Sequence, residues 1–366
     1  MGIGDLMVES SVGVLRSCGD LKPDRVIVGN MFSGVGSKQE HLGAYLASSL
    51  GLINVPAYKV EAACGSGGAA LHNAYLAVKS GESDAVLVTG VEKMTDLNVS
   101  EATSALAMAD NQEYSASVGA TFLSLNALTH RLYCSKYHVT REELASFPVL
   151  CHTNAVSSPH AMFRRSISVD DVIKSPIVSD PIRLLDSAPI CDGAASVMVV
   201  SKRNLKRAPA GAVKIEASEV AVNVFGLAER PDPLDYIATR AATKRALAGS
   251  GRELRDIDTM EVHDAFSITS ALALEAMGVS KKGGAPKDAQ NGRFSRSGEL
   301  PINTFGGLKA RGHPVGASGV YEAAEAFMQL TGSAGQCQVK GAKTSLIHNM
   351  GGVDTTTAVH ILSEVS

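Results

Sequence analysis

The stretch YKVEAACGSGGAALHNAYLAV, residues 58–78, joins an apolar run to a helix-forming run through a glycine-rich turn. Residues 60–63 are typical of the end of a buried strand, and residues 69–79 have helical periodicity. Cys64 is therefore predicted to lie in a strand-to-helix turn, where the glycines that follow it allow unusual backbone angles and the close approach of a ligand. The next apolar run, DAVLVTG at 84–90, is typical of a strand buried in a parallel sheet, so this part of the chain is predicted to be α/β.

Cys64 allows two interpretations. Free N–H groups at the start of a helix favour negative charge, so a thiol there can have a lowered pKa and act as a nucleophile. The same kind of turn presents the nucleophilic serine of many hydrolases. The alternative is a buried structural cysteine, since free cysteine is among the most buried residue types.

Composition narrows the class of protein. The 366 residues are 45% hydrophobic, which is ordinary for a soluble globular protein and enough for two domains or one duplicated unit. A net charge of −3 gives no general electrostatic reason to expect a nucleic-acid partner. No apolar run approaches the roughly 20 residues of a membrane span, and the first residues lack a signal-peptide pattern.

The cysteines predict the compartment. They form no CxxC pair and show no spacing of a zinc site or disulfide framework, so a reducing cytoplasm and no bound metal are expected. Apart from Cys64, they are taken as structural: Cys18, Cys134, Cys151, Cys191 and Cys337.

The remaining pattern suggests two halves of similar design. An amphipathic helix is predicted at 5–18, a strand at 25–29 and a helix at about 40–50. Residues 94–186 have a weaker strand rhythm, with a helix near 115–137, and are interpreted as an insertion. Further strands are predicted at 191–200, 214–222 and 258–262, a helix at 232–249, and a surface loop at 281–299.

Three polar loops follow predicted strands in the later half. They contain His263 and Asp264, His313, and His348 and Asn349. A single loop histidine is more often structural than catalytic, but ligands of α/β proteins bind where such strands end, so these loops and Cys64 could converge on one pocket. A cysteine with several histidines suggests nucleophilic acyl transfer.

Five motifs carry a family resemblance. GGLKARGHPVGASG (306–319) resembles the GHP loop of thiolases, CGSGGAAL (64–71) their nucleophile loop, GVEKM (90–94) their G-x-E-x-M segment, and CDGAAS (191–196) the strand that returns from their loop domain. HDAF (263–266) resembles the HDCF box of sterol-carrier-protein-type thiolases. The nearest pattern is the archaeal acetoacetyl-CoA thiolase branch, and the resemblance covers almost the whole chain.

The resemblance implies an α/β thiolase fold, with two βαβαβαββ halves stacked in five layers. The first half is then 1–93 with 188–204, the inserted loop domain 94–187, and the second half 205–366. Family members usually begin with an apolar strand, which this sequence lacks before its first helix. If that strand is central in the sheet, its absence leaves two neighbouring strands unpaired.

The resemblance also implies a ping-pong Claisen condensation of two acetyl-CoA molecules to acetoacetyl-CoA and CoA, or its reverse. Cys64 would be acylated, His313 would take the thiol proton, and His263 would help to hold the thioester oxygen of the second acyl-CoA. Ordinary thiolases use a second cysteine, in a C-x-G loop, to move the α-proton. We align that position with His348 and propose it as the base; the alternative cysteine of the HDCF box is Ala265 here.

The missing second cysteine keeps other functions open. A Cys-His-His set also resembles the decarboxylating condensing enzymes, and a thiolase-fold protein that only binds acyl-CoA or scaffolds a partner is conceivable.

Six further residues are assigned to the site. Asp264 could orient His263 or, as favoured here, cap the following helix; Asn349 could hold His348 or occupy a left-handed turn. Support of the oxyanion hole is expected from Asp264, Asn349 and Gly351. Contact with substrate is expected from Gly312, Ser318 and Phe266, although Phe266 also suits core packing.

Partners follow from the resemblance. Coenzyme A thioesters are the expected substrates, with no bound cofactor, nucleic acid or membrane. A homodimer or homotetramer is expected, as is a complex with hydroxymethylglutaryl-CoA synthase and a zinc-ribbon/OB-fold bridging protein that feeds the mevalonate pathway.

Overall fold

A computed structural model describes residues 1–19, 21–207 and 211–365 of the chain. The helices are α1 (Ile3–Ser17), α2 (Ser33–Gly36), α3 (Leu42–Ser49), α4 (Ser66–Lys79), α5 (Val99–Ala107), α6 (Phe122–Tyr137), α7 (Arg141–Leu144), α8 (Ser146–Ala155), α9 (Val169–Lys174), α10 (Ile237–Ser250), α11 (Ser267–Ala276), α12 (Ala285–Gln290) and α13 (Ser318–Leu330). The strands are β1 (Arg25–Gly29), β2 (Ala57–Val60), β3 (Ala85–Glu92), β4 (Ile177–Ser179), β5 (Ile182–Arg183), β6 (Gly193–Val200), β7 (Val213–Val222), β8 (Thr259–Val262), β9 (Thr344–Gly351) and β10 (Thr356–Glu364).

The first sheet has the strand order β2-β1-β3-β6 in the described residues. β1 lies parallel to both β2 and β3, and β6 is antiparallel to β3. Every residue of β3 is buried, as its continuous apolar sequence predicts for a strand covered on both faces. β6 follows β3 only after the long insertion, so the insertion leaves and re-enters the sheet at neighbouring strands.

The second sheet has the order β7-β10-β9-β8 in the same part of the chain. β10 is antiparallel to β7 and β9, whereas β8 runs parallel to β9. Outside the named strands, Ile302 forms a single parallel bridge with Met260 of β8. The short pair β4-β5 lies within the insertion.

The two sheets are stacked in five layers. α1 and α3 cover the outer face of the first sheet, α4 and α13 lie between the sheets and contact both, and α10 and α11 cover the second sheet. Glycines let α4 and α13 approach closely, because a Cβ on Gly319 would lie 2.3 Å from the backbone nitrogen of Gly68. This architecture confirms the predicted fold class.

The expected gap in the first sheet is absent. β1 pairs directly with β3, for example Ile27 with Val88, so no central strand is missing. Among the described residues, β6 is an edge strand of the first sheet, with no strand paired on its outer side. In the second sheet, β10 lies next to β9 as β6 lies next to β3, but its other side is paired with β7. A groove of about 1380 Å³ runs beside β6, lined by α1, β6, β7 and α13.

Some predicted elements differ in extent. β2 ends at Val60 and is only partly buried, so residues 61–63 belong to the turn. The helix expected near 115–137 begins at residue 122, where Thr121 caps it, and the helix expected at 232–249 begins at residue 237. Residues 281–299 contain α12 rather than loop alone. The predicted domain limits remain predictions.

No helix in the described part of the chain is long and apolar enough to cross a membrane.

Candidate active site

Cys64 lies in a strained turn that ends one residue before α4. Ala63 has φ +50°, in the left-handed region that a residue with a Cβ rarely adopts. Ser66 ties the turn together, because its Oγ accepts the Ala62 N–H at 2.9 Å and donates to the Ala63 carbonyl at 2.6 Å. The predicted strand-to-helix turn is therefore confirmed, with Cys64 fixed in its bend.

The structure brings one side chain from each of three predicted loops into one cluster. The Sγ of Cys64 and one ring nitrogen each of His263 and His313 all lie within 4.8 Å of one another. The two imidazole rings meet edge to face, with centroids 5.1 Å apart. All three residues are buried, and Cys64 is 2% exposed.

The thiol of Cys64 is neutral in this setting. Burial, and secondarily the carboxylate of Glu92, raises its pKa to about 12. The backbone N–H groups of Cys64 and Gly352 act in the opposite direction but do not overcome burial. The expectation that the helix start lowers this pKa is thus wrong for the resting protein, and the thiol needs a base beside it before it can attack.

His313 has an acceptor nitrogen that is free of protein partners in the described part of the chain. Ser318 Oγ lies 2.7 Å from His313 Nδ1 and can donate to the Pro314 carbonyl at 3.2 Å, so Nδ1 carries the proton and donates to the serine. Nε2 then has a free lone pair, and among the described residues it has no hydrogen-bond partner. Burial, followed by the charge of Arg311, lowers the pKa of His313 to about 3, which keeps the ring neutral.

His263 is held in the opposite tautomer. Asn349 Oδ1 accepts the Gly68 N–H at 3.0 Å, which turns the amide nitrogen of Asn349 toward His263 Nδ1 at 3.3 Å. Nδ1 is therefore the acceptor, and Nε2–H is the free donor. Burial and the neighbouring rings of His313 and His348 lower the pKa of His263, so it serves as a neutral hydrogen-bond donor.

His348 is not brought into this cluster. Its Nε2 lies 2.9 Å from Thr239 Oγ1 on α10, and its Nδ1 accepts the backbone N–H of His263 at 3.4 Å. Adjacent residues of a strand point to opposite faces, so β9 directs Asn349 toward the cluster and His348 away from it. A C-x-G pattern whose glycine is Gly351 has its first position at Asn349. The residue at the cysteine position of HNMGG is then Asn349, and not His348, to which we assigned it.

Gly351, the last residue of β9, and Gly352, which follows it, have different contacts at the site. A Cβ on Gly351 would lie 2.0 Å from the Ala62 carbonyl oxygen, so this position must be glycine for β9 to approach the Cys64 turn. The N–H of Gly352, rather than that of Gly351, lowers the pKa of the Cys64 thiol. The N–H of Cys64 itself acts in the same direction on this pKa.

The remaining predicted residues support loops rather than face the reacting sulfur. Asp264 accepts the N–H groups of Leu308 and Lys309 and the Cys151 thiol, so it caps the turn before His313 and not α11. Phe266 is buried and packs on Phe122 with ring centroids 5.9 Å apart.

Gly312 also acts through a loop. Its φ of +117° turns the chain immediately before His313, beside the sulfur of Cys191, where a Cβ would lie 2.8 Å from that sulfur. Ser318, expected to contact substrate, instead orients His313.

The sequence interpretation missed Glu92. Its buried carboxylate accepts hydrogen bonds from Asn30 Nδ2 and from the backbone N–H groups of Met31, Phe32 and Gly316. Glu92 therefore connects the loop after β1 to the loop that carries His313. The only signal was its place in the GVEKM motif, which gave it no role.

Cys64, His263 and His313 are also donors that zinc accepts in proteins. Each offers one ligand atom within the 4.8 Å cluster. In the tautomers described above, His313 Nε2 has a free lone pair and His263 Nε2 carries a proton.

Two α/β halves in five layers, with a cysteine at a strand-to-helix turn and the GHP loop facing it, define a thiolase-type fold. Residues 13–203 match the family described as "Thiolase, N-terminal domain", and residues 220–364 match "Thiolase C-terminal domain-like".

Full-length relatives agree with these matches. The chain is 42% identical over 363 residues to the acetyl-CoA acetyltransferase of Methanothermobacter thermautotrophicus, covering 98% of this chain and 94% of the relative. It is 32% identical to bovine (Bos taurus) sterol carrier protein 2, covering 83% of this chain and 58% of the relative. The chain belongs to the thiolase family and is an acyltransferase.

A solved structure supports the fold. Human mitochondrial 3-ketoacyl-CoA thiolase in complex with CoA superposes with a TM-score of 0.76 at 18% identity, covering 100% of this chain and 93% of that chain. The family resemblance predicted from the motifs is therefore confirmed.

Proposed function

We propose that the protein is an acetyl-CoA C-acetyltransferase that condenses two acetyl-CoA molecules to acetoacetyl-CoA and CoA, or runs the reverse thiolysis. The proposal depends on the cluster of Cys64, His263 and His313, in which the cysteine sulfur and one ring nitrogen of each histidine lie within 4.8 Å of one another. The named archaeal relative at 42% identity supports the same reaction.

The first half-reaction uses Cys64 and His313. His313 Nε2 takes the proton of the Cys64 thiol as the sulfur attacks the thioester carbon of the first acetyl-CoA. The carbonyl oxygen gains negative charge and is held by the N–H groups of Cys64 and Gly352. The carbon–sulfur bond to CoA then breaks, CoA leaves with the proton from His313, and Cys64 carries the acetyl group.

The second half-reaction needs a base for the α-proton. After CoA leaves, His313 Nε2 has its lone pair again and takes the α-proton of the second acetyl-CoA, while His263 Nε2–H donates to the enolate oxygen. The enolate carbon attacks the acetyl group on Cys64, the carbon–sulfur bond breaks, and the sulfur recovers the proton from His313. This route uses one base twice and does not require His348, whose ring nitrogens face Thr239 and the backbone of His263.

A short acyl group suits the surroundings of Cys64. The side chains of Met31, Phe32, Met94 and Val315 pack with Cys64 in one buried apolar cluster. An acetyl methyl group contacts such a surface without loss of hydrogen bonds.

Intact-protein mass spectrometry tests the proposal. The wild type is mixed separately with acetyl-CoA and acetoacetyl-CoA, beside Cys64→Ala and the control Cys18→Ala, which changes a cysteine at the end of α1. We expect an acetyl adduct on the wild type and on Cys18→Ala, its removal by added CoA, and no adduct on Cys64→Ala. A folded wild type that forms no adduct with either thioester would overturn the proposal.

The Cys-His-His cluster favours one second candidate, a decarboxylating condensing enzyme. In that chemistry the enolate arises by loss of CO₂, so the histidines stabilise it and no base is needed. The two candidates differ in the second substrate. If the protein acetylated on Cys64 condenses with malonyl-CoA and not with acetyl-CoA, the decarboxylating enzyme is the correct alternative.

The assembly belongs to the same proposal. We expect a homodimer or homotetramer, because exposed apolar side chains surround the outer strand β2: Tyr45, Ile53, Tyr58 and Leu76. Light scattering after size exclusion tests this, with Tyr58→Lys expected to weaken assembly and Val99→Lys, on α5, as control. A monomeric wild type at micromolar concentration contradicts it.

The pathway and its partners rest on the family resemblance. We propose that the protein works in a reducing cytoplasm, supplies acetoacetyl-CoA to the mevalonate pathway, and assembles with hydroxymethylglutaryl-CoA synthase and a zinc-ribbon/OB-fold bridging protein. The described cysteines are all free, which agrees with such a compartment. Co-purification from the native source under gentle conditions tests the complex, and isolation of the thiolase alone contradicts it.

A further inference from the structure

Arg230, in the segment between β7 and α10, is a buried cation that binds a turn near the site. Its side chain is 6% exposed. Its three nitrogens donate to uncharged partners, the carbonyls of Val224 and Val353 and the hydroxyl of Thr355. Two of these partners lie in the turn of residues 352–355, which connects β9 to β10. Because a buried charge is costly, its position indicates that holding this turn is its task.

The start of the same turn lies against the bend that carries Cys64. A Cβ on Gly65 would lie 3.0 Å from the backbone nitrogen of Gly351. A Cβ on Gly351 would lie 2.0 Å from the carbonyl oxygen of Ala62. The backbone that Arg230 holds is therefore continuous with the backbone that contacts the Cys64 bend, and a change at the arginine can reach the site through it.

Thr355 fixes the direction of the peptide between Gly351 and Gly352. The Thr355 N–H donates to the Gly351 carbonyl at 3.1 Å. In a trans peptide the carbonyl and the N–H point in opposite directions, so the Gly352 N–H points away from Thr355. It acts instead on the thiol of Cys64, whose pKa it lowers. Arg230 holds the Thr355 hydroxyl at 3.2 Å, and so holds the residue that sets this direction.

We propose that Arg230 is a positioning residue for acyl transfer. By holding the turn of residues 352–355, it keeps the Gly352 N–H directed at the thioester oxygen on Cys64. This inference rests on the proposed function for its effect on acyl transfer, but not for its effect on the free thiol. A donor placed for a developing oxyanion also stabilises a thiolate beside it, so both acylation and the reactivity of the thiol depend on this position.

Arginine is the side chain that suits both contacts with the turn. Its planar guanidinium presents donors in a fixed fork, whereas the ammonium of lysine is a single point of charge. A second anchor does not involve the arginine, because the Asp354 carboxylate accepts the N–H groups of Ala238 and Thr239 at the start of α10. We therefore expect substitution of Arg230 to loosen the turn without unfolding it.

Three variants and one control test the inference. Arg230→Met removes every donor, Arg230→Lys keeps the charge without the fork, and Thr355→Val removes only the hydroxyl contact. Arg296→Met is the matched control, because the Arg296 side chain also donates to backbone carbonyls, those of residues 154, 304 and 336. None of these three carbonyls belongs to the turn after β9.

Alkylation of Cys64 by iodoacetamide is a readout that needs no acyl-CoA. Peptide mass spectrometry follows the modified fraction at pH 8, where the thiolate is the reactive form. We expect the rate to fall about 3- to 10-fold in Arg230→Met and Arg230→Lys, and about two- to threefold in Thr355→Val, since a hydrogen bond to the thiolate is weakened. Arg296→Met should react like the wild type. An unchanged or faster rate in folded Arg230→Met would overturn the inference, and so would full recovery in Arg230→Lys, which would make the effect one of charge alone.

Label exchange between acetyl-CoA and CoA measures the effect on the first half-reaction. We expect kcat for exchange to fall about 10- to 100-fold in Arg230→Met with KM within about threefold, because the weakened interaction belongs to the transition state. Arg296→Met should stay within about threefold of the wild type. Normal exchange in folded Arg230→Met would contradict the positioning role. If the wild type itself shows no exchange while the alkylation rates differ as expected, the proposed function fails and the position of the Gly352 N–H still depends on Arg230.

Discussion

His348 and Asn349 are neighbours in β9 and have separate tasks because a strand directs alternate side chains to opposite faces. Asn349 reaches between Gly68 and His263, and so couples the start of α4 to the reacting cluster. His348 reaches Thr239, which in turn donates to Asp354 at 2.7 Å. Asn349 therefore orients the ring of His263, whereas His348 joins β9 to the outer helix layer.

Substitution of these neighbours separates catalysis from stability. We expect His348→Gln to keep kcat within about tenfold of the wild type and to lower the free energy of unfolding by about 1–3 kcal/mol, because buried hydrogen bonds are lost. Asn349→Ala should lower kcat about 10- to 100-fold, since it frees the ring of His263. Thiolysis kinetics and urea unfolding measure both quantities. A 10³-fold loss of kcat in His348→Gln, at unchanged stability, would instead support His348 as the base predicted from the sequence.

At the scale of secondary-structure elements, Glu92 connects two loops near the site. At the end of β3, its carboxylate joins the loop after β1 to Gly316 in the loop of His313. Burial raises its pKa to about 7, although several N–H donors act in the opposite direction. The charge state of this one side chain therefore affects the loops on both sides of Cys64.

Glu92→Gln gives a pH-dependent test of this connection. An acid with a folded-state pKa near 7 and an unfolded-state value near 4.5 favours folding below pH 4.5, and that contribution is lost as the pH rises through 7. The advantage of the wild type over the non-titrating glutamine should therefore shrink between pH 5 and 8, by on the order of 3 kcal/mol over the whole window. Urea unfolding at several pH values measures it. An advantage that grows with pH would mean that the N–H donors keep Glu92 charged in the folded protein.

The sequence identifies loops more readily than it identifies the contacts between them. Cys64, His263 and His313 are predictable because each follows a recognisable strand or glycine pattern, and parallel strands bring such ends to one edge. The role of Glu92, the capping of residues 308–309 by Asp264 and the separation of His348 from the cluster depend on contacts between distant segments. Local periodicity carries no information about such contacts, and a one-residue shift within a strand reverses which side chain faces the site.

The same limit applies to the fold. The continuous apolar run of β3 and the helical period of α4 determine those elements locally, so their predicted limits are close to the observed ones. The edge position of β6 and the direct pairing of β1 with β3 are properties of the sheet as a whole. The exposed part of α12 lacks an apolar period strong enough to distinguish it from loop, and it forms against α7 and α8.

At the scale of the whole molecule, the middle layer belongs to both halves. α4 from the first half packs on β7 and β10 of the second sheet, and α13 from the second half packs on β3 and β6 of the first. One apolar cluster accordingly contains Ile27 and Val88 from one sheet and Ile347 and Leu362 from the other. Neither half has a complete core alone, so we expect the two halves to unfold as one cooperative unit.

Gly319→Ala tests that cooperativity at the closest point of the middle layer. The added Cβ would lie 2.3 Å from Gly68 N and 2.5 Å from Asn349 Oδ1, so α13 must move away from α4, at a cost of about 1–3 kcal/mol. Gly13→Ala is the control, because Gly13 is exposed in α1 and a Cβ there has no neighbouring atom within 4 Å. This substitution should raise the free energy of unfolding by about 0.5–1 kcal/mol.

Hydrogen exchange measured by mass spectrometry distinguishes shared from local loss. Because α4 and α13 are packed on both sheets, Gly319→Ala should lower the protection of β3 and β9 by the same free energy, although the substitution lies in the second half. Loss confined to β9, with β3 still protected as in the wild type, would contradict cooperative unfolding. It would mean that the first sheet keeps its core through α1, α3 and α4 alone, and that the middle layer joins two units that can open separately.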